Sequence, residues 1–218
     1  MKLCIKLIVF FCLLALTSNA ATFIAVASGD WEDAPTWSGP PGFPGIGDDV
    51  IIAGGYTVTI PSFSSVRCKD LHMGDTDGQN GNLAFGTKCS LQASNIYFNE
   101  FGAQSGDAST NTYVSFINLN GQTLTVSNDL YLQSVPGSFT EYVSQINLQD
   151  GILNVQGDIH ILNGLPNFSF ISFSNLSVLN FYGDSITPLD GIPYEGSFKG
   201  LNNTGKIAFL GTNQYFEE

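Results

Sequence analysis

From residue 21 onward the chain is written in short apolar-x-apolar triplets separated by Gly, Asn, Asp and Ser. No segment there carries the three-to-four-residue spacing of an amphipathic helix, and alternation with period two recurs instead. The triplets fall into three series. The first is Val50/Ile52, Leu83/Phe85, Ile117/Leu119, Ile146/Leu148, Ile171/Phe173 and Ile207/Phe209. The second is Val58/Ile60, Leu91/Ala93, Leu124/Val126, Leu153/Val155 and Leu179/Phe181. The third is Leu71/Met73, Ile96/Phe98, Leu130/Leu132 and Ile159/Ile161.

The series repeat along the chain. Ile117-Asn118-Leu119 returns as Ile146-Asn147-Leu148, and the same offset of 29 carries Leu124 onto Leu153, Asp129 onto Asp158 and Leu130 onto Ile159. An offset of 26 carries Leu153-Asn154-Val155 onto Leu179-Asn180-Phe181. Gly121 to Val126 resembles Gly55 to Ile60, an offset of 66 that reads as two periods of 33. Both ends of a triplet point to one side of a strand, and so short a strand cannot bury that side alone. Stacking equivalent triplets from successive coils buries all of them around one column. Unequal periods are expected, because insertions collect in the corner loops. An antiparallel sandwich favours hairpins of two to five residues and does not explain position-by-position matching. The expected fold is therefore all-β, a single-stranded parallel β-helix or solenoid with three short strands per coil and about five to six coils.

Residues 29–60 carry Gly29-Asp30-Trp31, Trp37-Ser38-Gly39, Pro44-Gly45, Gly47-Asp48-Asp49-Val50-Ile51-Ile52 and Gly55-Tyr56-Thr57-Val58-Thr59-Ile60. This stretch resembles the opening of the eight-glycine domain of extracellular proteins. It also resembles the start of many bacterial secreted surface β-helix proteins. The resemblance implies an N-terminal cap followed by a right-handed parallel β-helix in an extracellular or cell-surface protein, and it carries no catalytic residues. The residues themselves agree: Pro35, Pro40, Pro41 and Pro44 forbid regular strand, and Trp31 and Trp37 are large covers for an open solenoid end.

The N-terminus adds a compartment. Lys2 and Lys6 precede an apolar run from Leu7 to Leu16, and Ser18-Asn19-Ala20 offers small residues for cleavage. That layout is a secretory signal peptide, and the run is too short to span a bilayer. The expected organisation is a signal peptide over 1–20, a Trp/Pro/Gly-rich cap over 21–49 and the solenoid over 50–218, with no membrane span after cleavage. Asn167, Asn175 and Asn202 each open an N-glycosylation triplet, which matters in a eukaryotic host. Cys4 and Cys12 leave with the signal, and Cys68 and Cys89 remain as an even pair read as a disulfide. The alternative is a pair of buried free thiols.

Charge narrows the partners. The exported part keeps Arg67, Lys69, Lys88, Lys199 and Lys206 against 19 acidic residues, a net charge of −14. Such a surface repels nucleic acid and anionic lipid and suits glycans or matrix and cell-surface proteins. The middle residues of the third series are His72, Tyr97, Tyr131 and His160, which form one outward aromatic ladder at about 4.8 Å per coil. Aromatic rings on a solenoid face suit sugar rings, and they also stabilise a sheet. The second series turns Thr59, Gln92, Thr125, Asn154 and Asn180 outward, a polar ladder for glycan or, through Thr57-Val58-Thr59 and Thr123-Leu124-Thr125, for ice. Asp129, Asp158 and Asp184 stack at one corner, with Asn95 in line. They cap backbone amides there or hold calcium, the one cofactor the sequence raises. The loop Asp75 to Gly81 is acidic but lacks the spacing of a calcium loop. No nucleophile and base pair, phosphate loop or zinc spacing points to catalysis. The leading function is a secreted structural or adhesive module without catalysis. The alternatives are a solenoid-type carbohydrate-active enzyme and an ice-binding surface protein.

Overall fold

In a computed structural model the described residues are 20–74, 80–98, 112–133, 135–136, 141–162, 169–174, 176–188, 198–199, 206–210 and 215–216. Residues 1–19 of the expected signal peptide, most of the acidic loop at 75–79, and Asn167, Asn175 and Asn202 lie outside them. No helix of the described residues is long and apolar enough to cross a membrane.

The chain winds as a parallel β-solenoid. An opening turn contributes β1 (Thr22–Ala25), β2 (Gly29–Asp30) and β3 (Trp37–Ser38). Among the described residues six coils then each place one strand in each of three sheets, here called A, B and C. They are β4 (Asp49–Ile52), β5 (Thr57–Ile60) and β6 (Ser65–Arg67), then β7 (Asp70–Met73), β8 (Asn82–Phe85) and β9 (Ser90–Ala93). Next come β10 (Asn95–Phe98), β11 (Thr112–Asn118) and β12 (Thr123–Val126), followed by β13 (Leu130–Gln133), β15 (Glu141–Asn147) and β16 (Ile152–Val155). The short β14 (Val135–Pro136) runs antiparallel to β15. β17 (Ile159–Leu162), β18 (Phe170–Ser172) and β19 (Val178–Phe181) precede β20 (Ser185–Pro188), β21 (Phe198–Lys199) and β22 (Lys206–Phe209). β23 (Tyr215–Phe216) pairs with β20 in sheet A.

Every coil-to-coil pairing is parallel and in register with the apolar alternation. Leu91, Leu124, Leu153 and Leu179 pair in a single column of sheet C. Leu124, Leu153 and Leu179 are fully buried, as are Leu71, Ile96, Leu130 and Ile159 of sheet A. Each such side chain contributes about 1.5–3 kcal/mol by leaving water, and it does so only because the coils above and below close the column. The corners are tight. A Cβ on Gly183 would sit 1.9 Å from the carbonyl oxygen of Gly157 in the coil before, so no larger residue fits there without moving backbone.

Three triplets occupy a different sheet from the one their sequence suggests. Val50/Ile52 pair with Leu71/Met73 in sheet A, and Val58/Ile60 pair with Leu83/Phe85 in sheet B. Ile207/Phe209 continue sheet C after Leu179/Phe181. The place left open in the second series is filled by Val66 and Cys68, which flank the outward Arg67. The cause is an irregular period. In sheet A the steps Val50 to Leu71, Leu71 to Ile96 and Ile96 to Leu130 span 21, 25 and 34 residues. An offset of 66 therefore carries Thr57 of sheet B onto Thr123 of sheet C and matches alternation rather than position.

The opening turn is already stacked. Phe23 pairs with Val50 and Gly29 with Val58 in parallel, so the strand columns reach into residues 21–49. β3 then covers β1 in antiparallel fashion. Trp31 is fully buried, its Nε1 donates to the Pro44 carbonyl, and it meets Trp37 edge to face at 5.3 Å. These indoles close the apolar column at this end.

Cys68 and Cys89 are both free and buried, so the expected disulfide is corrected. Register is the reason. Val66 pairs with Leu91, which puts Cys68 level with Ala93, whereas the amide of Ser90 bonds Ser64 and puts Cys89 at the other end of β9. Four residues of strand separate them, about 13 Å, far beyond the roughly 7 Å between Cα atoms that a disulfide tolerates. The Cys89 thiol instead donates to the Gly86 carbonyl at 3.5 Å. Burial raises both thiol pKa values, and for Cys68 the nearby Asp70, Asp49 and Asp48 carboxylates push the same way.

Candidate outer face of sheet A

The middle residue of each sheet A strand faces outward because its neighbours on both sides are core residues. Pairing of β7, β10, β13 and β17 brings His72, Tyr97, Tyr131 and His160 into one column, as the sequence indicates. Their rings lie nearly parallel. His72 and Tyr97 are 5.0 Å apart at 14°, Tyr97 and Tyr131 4.9 Å at 13°, and Tyr131 and His160 4.5 Å at 14°. The repeat matches the strand spacing of about 4.8 Å, so the backbone itself sets the ring separation. The column is longer than the aromatic quartet. Ile51 pairs with His72 and Ile24 with Ile51, extending an apolar stripe toward the opening turn. Period two already placed Ile51 outward, but its strand stood in the wrong series.

The rings are half-buried rather than fully exposed. Each inner ring has a neighbour on both faces, so the stack presents mainly ring edges and phenol oxygens to a partner.

A second column flanks the first. Residues two positions upstream share the same face, and in register they are Asp49, Asp70, Asn95, Asp129 and Asp158. These side chains tie coil to coil. Asn95 donates to Asp70 at 2.8 Å and accepts from the Asp129 amide at 3.2 Å. The Asp158 amide donates to Asp129 at 2.8 Å, and the amides of Asp184 and Ser185 donate to Asp158 at 2.9 and 2.8 Å. Ser185, not Asp184, continues the strand register, because the corner between β19 and β20 holds one more residue than the corner before it. Asp184 thus stands outside the carboxylate column in which the sequence places it.

Aspartates and rings also touch each other. The Tyr131 hydroxyl donates to Asp129 at 3.3 Å, and His160 Nε2 lies 3.9 Å from the same carboxylate. Lys69 bridges Asp49 and Asp70 at 3.0 Å each. Burial acts to raise the Asp70 pKa, but the Asn95 hydrogen bond and the Lys69 ammonium outweigh it and hold the carboxyl below its ordinary value. Among the described residues no group of three His, Cys, Asp or Glu side chains gathers to hold a metal. Asp129 and Asp158 each spend an oxygen on backbone amides of the next coil, the amide-capping role.

The polar ladder of sheet C reads Arg67, Gln92, Thr125, Asn154 and Asn180. Thr59 is not in it, since it pairs with Ala84 in sheet B. The two Thr-x-Thr segments therefore lie on different sheets and build no common array. Asn154 donates to Thr125 and Asn180 to Asn154, at 3.3 and 2.8 Å. Arg67 heads this ladder, a position hidden from sequence by the short first coil.

Comparison with protein-family models, curated proteins and solved structures finds no match.

Proposed function

We propose that the chain is a secreted, extracellular β-solenoid module without catalytic activity, meeting glycans or matrix and cell-surface proteins through the outer face of sheet A. The observation that carries this reading is the continuous stack His72–Tyr97–Tyr131–His160 with its parallel carboxylate column. Together they make two adjacent rows that offer aromatic edges, hydroxyls and carboxylates at the spacing of the strands. Hydroxyl-rich partners need such a row of donors and acceptors. The signal-like N-terminus, the net charge of −14 after its removal and the resemblance of residues 29–60 to extracellular β-helix proteins support the same reading.

The stack governs how contact is made. Flat sugar faces cannot slide between rings 4.5–5.0 Å apart. Recognition therefore runs through hydrogen bonds along the edges. The test is a glycan array and a matrix-protein panel probed with the parent and with Tyr97→Phe plus Tyr131→Phe, which keeps the rings and removes their hydroxyls. The expected result is binding by the parent, loss of at least about tenfold in the variant and a melting temperature lowered only slightly, by the lost Tyr131–Asp129 hydrogen bond. Thr125→Ala on sheet C binds as the parent does. Equal binding by the double variant removes sheet A as the contact face.

A further inference from the structure

Beside Arg67 lies a shallow groove at the corner between sheets C and A. It is lined by Ile46, Arg67, Cys68, Gln92, Ser94 and Ser127, and encloses about 280 Å3 with its open mouth included. Its enclosed part, about 90 Å3, is far below the roughly 300 Å3 at which pockets for drug-sized ligands start, so it seats one charged group and leaves the rest of a small ring lying across the mouth. Three coils build it. Arg67 pairs with Gln92, and Gln92 Nε2 donates to Ser127 Oγ at 2.9 Å, which fixes the amide. Ile46, two-thirds exposed, supplies an apolar wall from the opening turn.

The charges around it select the ligand. Arg67 is the one arginine of the chain, and its guanidinium makes no ion pair with a described residue. The neighbouring carboxylates are engaged elsewhere. Asp49 and Asp70 share Lys69, and Asp48 accepts from the amides of Ala21 and Gly45. Three carboxylates against Lys69 and Arg67 still leave the neighbourhood one negative charge in excess. Long-range attraction therefore does not draw a bare anion. Short-range contact decides, and the planar guanidinium fork matches a carboxylate in two parallel hydrogen bonds.

We propose that the groove is a subsite for a carboxylate-bearing sugar residue, its carboxylate on Arg67, its hydroxyls on Gln92, Ser94 and Ser127, and its C–H face against Ile46. The site lies on sheet C and does not depend on the aromatic stack.

The test is titration of the isotope-labelled exported chain with D-glucuronate and with D-glucose, followed by amide shifts. Saturable shifts at Gln92, Ser94 and Ser127 are expected with glucuronate, and glucose binds at least about tenfold more weakly. Arg67→Gln loses the same factor with an unchanged melting temperature, because Arg67 is exposed. Arg67→Lys restores only part of it, since a point charge lacks the fork. Tyr97→Phe plus Tyr131→Phe leaves these shifts intact. Equal binding by Arg67→Gln, equal binding of glucose, no saturable shift, or loss in the tyrosine variant overturns the proposal.

Discussion

Tyr97 and Tyr131 lie face to face across two coils, ring centroids 4.9 Å apart and planes 13° from parallel. Their Cα atoms are direct partners in the parallel pairing of β10 and β13. A chain separation of 34 residues thus becomes a single strand spacing, and each phenol covers a face of the other. The contact stiffens the outer side of sheet A and determines which parts of the rings a partner reaches.

Such a stack implies energetic coupling. Tyr97→Ala and Tyr131→Ala, alone and together, form a double-mutant cycle in urea unfolding. The expected coupling is about 0.5–1.5 kcal/mol beyond the loss of buried area. Strict additivity shows that the rings share space without sharing energy. The Phe variants, which keep the stack, lose little stability.

The thiols give a second prediction. Native protein labels slowly with iodoacetamide, because burial shields Cys68 and Cys89 and raises their pKa values. In denaturant without reductant both label fully, as read by peptide mass. A mass shift that requires prior reduction is evidence of a bridge and of a register different from Val66 opposite Leu91.

Acid should loosen the corner between sheets C and A. The folded pKa of Asp70 is lowered, against the opposition of burial, by the Asn95 hydrogen bond and by Lys69. A lowered carboxyl pKa contributes stability that is complete above the unfolded value of about 3.9 and vanishes as pH falls through the folded value. Asp70→Asn is therefore less stable than the parent near neutral pH, and the gap narrows below about pH 4. Asp150, held low by Ser174 and the Leu176 amide, adds a loss of the same sign to parent and variant alike and leaves the gap between them unchanged. Melting temperatures of parent and variant across this range check it. A gap that stays constant with pH contradicts the assignment.

Much of this molecule is local and therefore legible. Period-two alternation reports which way a side chain points, and the step from one residue to the next fixes that direction wherever the strand ends up. Leu71/Met73, Ile96/Phe98, Leu130/Leu132 and Ile159/Ile161 bracket the four ring residues, so the outward register of His72, Tyr97, Tyr131 and His160 was readable from the chain alone. The parallel solenoid followed from the repeat, since triplets this short gain burial only by stacking. Sheet membership was not readable in the irregular coils. It depends on how many residues each corner consumes, and a spacing of 21 beside one of 34 gives no fixed offset to count by. Val50, Val58 and Ile207 changed sheets for that reason, Asp184 left its column by one residue, and Arg67 gained a groove. The cysteines show the same limit. Sequence counts them as a pair, but only the pairing of β6 with β9 puts four residues of strand between them. Direction is a property of the strand. Neighbourhood is a property of the coil, and corner lengths that only the folded chain reveals decide it.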